Sequence, residues 1–329
     1  MTTTLQPTTT GFQERAGQRR AINGIRNSAL PILIAAVYVG ASIFVPQFLT
    51  FETIRAILLA TSITGIIAVG MTAVTLSGNF FSLAVTASTV FSGVIYLWVG
   101  SATGNIFVAA LAAIVVALVL GLIQGYIVGL GLNPVVVTLA AGAIIYGSTA
   151  ILTKGEVVAA ADNSMGAFAT FAIFGVPLPV FIFIGFTAVA WFLTEHTLIG
   201  RNLHLLGANK ATARNSGISA TGTTIWAFLA FSVGIGVAAI LQVSQTLQIQ
   251  ADNFPELTMN VVAAVLVGGT AITGGDGSPV KSAIGALFIA TITQIMVLSG
   301  IPQGTRYFVL GLVVVALVIT LHLLRKASR

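Results

Sequence analysis

Cysteine is absent from this 329-residue chain, which rules out both a disulfide framework and a cysteine metal site. Charge is nearly as scarce. Asp, Glu, Lys and Arg make up 7% of the residues, against roughly 25% in a soluble domain. Histidine occurs at His196, His204 and His322 only, with no i,i+4 pair to hold a metal. No Gly-x-Ser-x-Gly elbow is present either, so neither a catalytic residue nor a cofactor is expected. What is abundant is apolar: 57% of the chain is hydrophobic and the mean hydropathy is +1.03. Over this length, that balance describes an all-α polytopic membrane protein rather than a large soluble core. The net charge of +6 would suit a nucleic-acid binder. The cations stand at the ends of apolar runs, however, where membrane topology puts them, so no nucleic acid is expected as a partner.

Residues 1–27 read as a disordered cytoplasmic tail, Thr-rich and then basic with Arg15, Arg19, Arg20 and Arg26. They lack the short apolar core and small-residue cleavage site of a signal peptide. A membrane domain follows over 28–324, with spans at 28–49, 56–76, 84–99, 106–130, 135–153, 180–193, 223–243, 258–273, 282–299 and 307–324. Residues 325–329 form a short tail. Ten spans with both termini inside leave Arg55, Lys154 and Arg306 as the outer cations, and the remaining eleven of the 14 lie inside. The opposite orientation would reverse that ratio, so positive-inside topology selects cytoplasmic termini and a multi-pass inner-membrane protein. The long outer segment 154–179 has an Ala/Phe-rich middle, 167–174, read as lying along the interface. In the fourth span Gly121, Gly125 and Gly129 recur every four residues, a spacing that lets helices approach closely.

The longest polar passage, 195–222, carries Arg201, Lys210 and Arg214. Within it Asn209 is a helix N-cap, 210–216 holds good helix formers, and Gly217 fits the left-handed position past a helix end. One reading is an ordinary positively charged loop. The other is a helix pushed out of the membrane to meet a soluble partner. Gly200, Arg201, Gly207, Asn209, Ala213, Ser216, Gly217 and Ile218 stand in a register that resembles the coupling loop of bacterial ABC importer permeases of the ribose/simple-sugar type. Leu205 and Thr212 depart from two usual alanines. The resemblance implies ATPase-coupling roles for Arg201, Gly207, Asn209, Lys210, Ala213, Arg214 and Gly217.

Further matches run through 56–324. Ala263–Thr270 followed by Gly274–Ser278 is similar to that family's double glycine cluster, and 133–139 to its Pro-containing helix start. Asp276 replaces an arginine often found there, and Thr258 and Asn260 replace acids. The break at 76–83 keeps Gly78, Ser82 and Leu83 but has Phe81 where the family usually has Asp. It is either a tight turn or an interrupted helix whose freed backbone lines a pathway, since non-helical backbone at membrane depth needs protein or water around it. The pathway candidates are Asn79, Phe80, Phe81, Ser82, Gln124 and Asn260; Gln124 reads equally as an interhelical hydrogen-bonding group. The stretch 69–75 echoes 267–273, each before a glycine-containing break, as either a repeat or a coincidence of Ala/Gly/Thr-rich sequence.

Lys281-Ser282 ends a glycine-rich run like that of a phosphate loop, but Val280 stands where a glycine is required, with Pro279 before it. The resemblance implies an ATP-driven importer, so ATP hydrolysis would fall to a separate ATPase. It further implies a periplasmic substrate-binding protein, a second permease copy alongside, and alternating access for a sugar or similar small polar solute. An ion-coupled carrier and a passive channel are the alternatives. Neither needs the coupling-loop residues, and a proton-coupled carrier normally buries ionisable groups that this chain keeps at its span ends.

Overall fold

The structure, a computed structural model, describes residues 35–173 and 175–327, and it is mostly helical. The basic tail 1–27 and residues 28–34 of the first expected span lie outside the described residues. Helix α1 is Ala35–Phe44. The chain then forms α2 (Phe51–Leu76), α3 (Val85–Thr103), α4 (Ile106–Gly129), α5 (Pro134–Thr153), the single turn α6 (Ala167–Thr170) and α7 (Leu178–His196). It continues with α8 (Leu198–Ala208), α9 (Lys210–Asn215), α10 (Ala220–Thr246), α11 (Leu257–Val267), α12 (Pro279–Leu298) and α13 (Gln303–Ala327). Among the described residues seven helices are long and apolar enough to cross a membrane: α2, α3, α4, α5, α7, α10 and α12. The shorter apolar α1 and α11 and the 25-residue α13 stand at the other three expected spans. α13 also takes in residues 325–327, which were read as a tail.

Local chemistry sets many of the ends. Thr50 caps α2 and Asn105 caps α4. Asn133 accepts the Val135 N–H at the start of α5, whose first residue, Pro134, needs no donor of its own. Three consecutive polar or special residues, Ser77-Gly78-Asn79, and the irregular run behind them stop α2. Gly78 there takes φ +77°.

α2 and α10 form the centre. Within the best apolar window 83% of α2 is buried, whereas only 17% of α5 and of α7 is. α2 is apolar all round, as a helix enclosed by other helices must be. The glycine stripe of α4 faces α10. A Cβ on Gly121 would stand 1.8 Å from Ser232 Oγ, and one on Gly125 would stand 2.8 Å from the Phe228 Cβ. The stripe therefore packs backbone against helix, as its spacing predicts. Leu111, Leu139, Ile144, Ile151 and Phe192 on α4, α5 and α7 remain exposed, the side of the bundle suited to lipid.

The span expected over 258–273 is not one helix. α11 stops at Val267, and 268–278 is irregular until Pro279 opens α12. Gly269, Gly274 and Gly275 all take positive φ, which a helix forbids. Close crossing explains the neighbouring glycines: a Cβ on Gly268 would lie 2.6 Å from the Lys281 carbonyl, and one on Gly285 2.1 Å from that of Ala264. The echo between 69–75 and 267–273 is thus one of sequence only, since the first copy is helical throughout and the second is mostly not.

The segment between α5 and α7 carries short elements of its own. Strand β1 (Val158–Ala159) pairs antiparallel with β4 (Gln248–Ile249), which follows α10. A 3₁₀ turn, Asn163–Gly166, is capped by Asp162, whose carboxyl is held below its usual range by hydrogen bonds from Ser164. After α6, β2 (Ala172–Ile173) and β3 (Val176–Pro177) form a small hairpin. Phe174, part of the stretch expected along the interface, lies outside the described residues.

Candidate functional site

The polar passage 195–222 is two short helices at an angle rather than a loop with one. Thr197 accepts the Gly200 N–H and starts α8. Leu203 and Leu206 bury beneath α8 while Arg201 and Leu205 stay exposed. Asn209 ends α8 in extended conformation and caps α9, accepting the N–H groups of Ala211 and Thr212 at 3.0 and 3.1 Å. α9 stops at Asn215, one residue before the end expected from the sequence. Gly217 then takes φ +78°, and the Ile218 N–H returns to the Ala213 carbonyl at 3.0 Å. That left-handed closure satisfies carbonyls a helix end would otherwise leave open. Ala213 buries as the foot of α9, and Lys210 and Arg214 project outward. Of the coupling candidates, then, Arg201, Lys210 and Arg214 form an exposed cationic surface, and Asn209, Ala213 and Gly217 shape it.

Gly207 does something different. A Cβ there would lie 2.0 Å from the Leu76 carbonyl oxygen, 2.4 Å from the Gly275 amide nitrogen and 3.0 Å from that of Gly78. Gly274 presses on Gly78 in turn, where a Cβ would come within 2.4 Å of its Cα. The Gly275 N–H donates to the Leu76 carbonyl at 3.1 Å. Three chain breaks therefore meet at one point: the end of α2, the end of α8 and the glycine cluster between α11 and α12. His204 adds a side-chain tie. Its Nδ1 lies 3.0 Å from the Gly275 carbonyl, an atom that only accepts, so this nitrogen carries the proton. Deeper in, Thr72 Oγ1 donates to Ser282 Oγ at 2.7 Å, with Thr270 Oγ1 3.4 Å away.

Neither α8 nor the His204 tie was read from the sequence. The spacing of Leu198, Ile199, Leu203 and Leu206 after a capping Thr197 carries an amphipathic helix signal. The meeting with Gly275, 71 residues on, has no local signal.

The pathway candidates do not form one site. Asn79 is buried and donates from Nδ2 to Ser77 Oγ at 2.8 Å and Thr224 Oγ1 at 3.3 Å. Ser82, fully buried, lies 3.4 Å from Gln124 Oε1. Gln124 is also buried, and it ties α4 to the non-helical break between α2 and α3. Phe81 packs in the core, edge-on to the exposed Phe80 with ring centroids 5.1 Å apart. Asn260 is elsewhere. It lines a cleft of about 330 Å³ with Thr64, Gln242, Phe254, Glu256 and Gln303.

The family model described as branched-chain amino acid transport system / permease component matches residues 53–318. The L-arabinose transport system permease protein AraH of Escherichia coli is 28% identical over 299 residues, covering 91% of this chain and 91% of that protein. The ribose import permease protein RbsC of Escherichia coli is 30% identical over 296 residues, covering 88% and 91%. The autoinducer 2 import system permease protein LsrD of Klebsiella pneumoniae is 31% identical over 264 residues, covering 77% and 78%. No solved structure matches.

Proposed function

The chain belongs to this family of permease components, together with the ribose and simple-sugar ABC permeases, and on that premise we propose how it works. It is the membrane subunit of an ABC importer, and it carries a sugar or similar small polar solute across a bacterial inner membrane. The mechanism is ATP-driven alternating access. A separate ATPase docks on α8 and α9, a second permease copy completes the pathway, and a periplasmic binding protein delivers the solute. The distribution of Lys and Arg supports a cytoplasmic position for α8, α9 and both termini.

The observation that carries the reading is the junction of Gly78, Gly207 and Gly275. A cationic helix pair exposed to the cytoplasm is anchored, backbone to backbone, to two breaks in the membrane-spanning bundle. A push on α9 reaches α8 through Asn209, and reaches the ends of α2 and α11 through Gly207 without a flexible side chain between them. An ion-coupled carrier has no use for such a junction.

Membrane vesicles test this. Solute uptake requires the partner ATPase, stops with vanadate and survives a proton uncoupler, and the purified chain alone neither binds nor hydrolyses ATP. Uptake by this chain alone on an ion gradient would replace the reading with a secondary carrier.

A further inference from the structure

Asn260 is the reason to look at the cleft beside α2. Its side chain has a buried Oδ1 with no hydrogen-bond partner. A buried carbonyl oxygen left unpaired is unfavourable, and in native proteins it commonly marks a place where something else binds. The groups around it are polar but sparsely charged. Gln242, Thr64 and Gln303 line the same space, and Gln303 Nε2 donates to Glu256 Oε1 at 3.0 Å. Phe254 supplies an apolar wall.

The position suits a solute in transit. At 1.5 Å per residue, Thr64 lies ~20 Å along α2 from Phe51, near the middle of that helix. α11 begins at Leu257, which lines the cleft, and is only 11 residues long. Interrupted helices within a bundle are where transporters hold their cargo, and here Gln242 and Gln303 bring the ends of α10 and α13 to the same space. The cleft volume falls at the lower end of the range for small-molecule sites.

The charge pattern narrows the class. The N-terminus of a helix ordinarily attracts an anion, but at α11 that place is held by Glu256, the residue just before the helix. An anionic solute would meet a carboxylate, and no Lys or Arg lines the cleft. The unpaired Asn260 oxygen and the Glu256 carboxylate both call for donors. We infer that this cleft is a holding site for a small uncharged solute rich in hydroxyl groups, with Asn260 Oδ1 accepting one of its O–H donors. This rests on the importer reading above and adds to it the residues that hold the cargo within the permease.

The test uses the absence of cysteine. Ala60 lines the cleft and is exposed, so Ala60→Cys can be labelled with a charged methanethiosulfonate in the chain co-expressed with its ATPase. D-ribose and L-arabinose slow the labelling, about twofold when the sugar concentration equals its dissociation constant. Ribose 5-phosphate does not slow it. Adding Asn260→Leu removes the protection but leaves the unprotected labelling rate unchanged. Asn260→Asp, which keeps an acceptor in nearly the same shape, retains protection. Protection that persists in Asn260→Leu, or that ribose 5-phosphate matches, overturns the site. No protection by either sugar, with the ATPase still recovered, overturns the site and leaves the importer reading standing. Loss of both protection and ATPase recovery overturns both.

Discussion

Leu76 and Gly207 touch through their backbones, so closely that a methyl group on Gly207 would stand 2.0 Å from the Leu76 carbonyl oxygen. The end of the most buried helix and the end of α8 are thereby fixed to one another. The same carbonyl accepts the Gly275 N–H, and His204 on α8 donates to the Gly275 carbonyl, so a shift of α8 must carry the glycine cluster with it or break the His204 bond.

Gly207→Ala is therefore expected to destabilise the protein by about 1–3 kcal/mol through overpacking, and to abolish uptake. The melting temperature of the detergent-solubilised protein measures the first effect and vesicle uptake the second. Gly147→Ala is the control. It sits in a helix with nothing within 4 Å of the new methyl, so it should leave uptake unchanged and should not lower the melting temperature. Unchanged uptake in Gly207→Ala would mean that the contact is incidental to transport.

At Gly217 the constraint is conformational rather than steric, since nothing lies within 4 Å of an added Cβ yet φ is +78°. A β-branched residue in that left-handed conformation costs on the order of 1–2 kcal/mol. Gly217→Val should unwind the end of α9 and shift Ala213 and Arg214. Membrane insertion should stay normal, while ATPase co-purification weakens and uptake falls. A plain solvated loop would absorb the change within about 0.5 kcal/mol, and full ATPase recovery would assign α9 to that class.

Accessibility separates the pathway candidates. Phe80 is 39% exposed, whereas Asn79 is 4% exposed and Ser82 fully buried. In the conformation described, Phe80→Cys should react with a small water-soluble thiol reagent, and Asn79→Cys and Ser82→Cys should not. If the 77–84 segment lines the pathway, trapping the complex with nucleotide and vanadate should expose one of the buried pair. Inertness of both in every nucleotide state would make the segment a packed turn.

Much of this architecture is legible in the residues because membrane helices write themselves in local terms. A run of apolar residues, an Asn or Thr cap and a terminal glycine are sequence-adjacent facts, and α2, α4, α5, α9 and α10 follow from them. The glycine stripe of α4 is equally local. What escapes a linear reading is contact between distant segments. In the irregular 268–278 stretch, residues 268–273 look like the end of an apolar span until its glycines are seen pressed against Gly78, Ala208 and Lys281. Asn79 and Ser82 look like free polar groups until Thr224 and Gln124, from other helices, approach them. Asn260 shows the reverse: an amide that reads as ordinary in sequence has a buried oxygen without a partner.

The short ladder joining Val158 to Ile249 and Ala159 to Gln248 is small in area, yet it sews together two connections on the face opposite α8 and α9. The Ala160 N–H reaches the Leu247 carbonyl at 2.8 Å, and the Gln250 side chain reaches the Gly155 carbonyl at 3.2 Å. The far ends of α5 and α10 thus share one roof. A soluble protein alighting there meets backbone that is already ordered, so association forfeits little loop entropy on this chain's side. The specificity of a docking partner would then rest on the shape of a preformed ledge rather than on loops that fold around it.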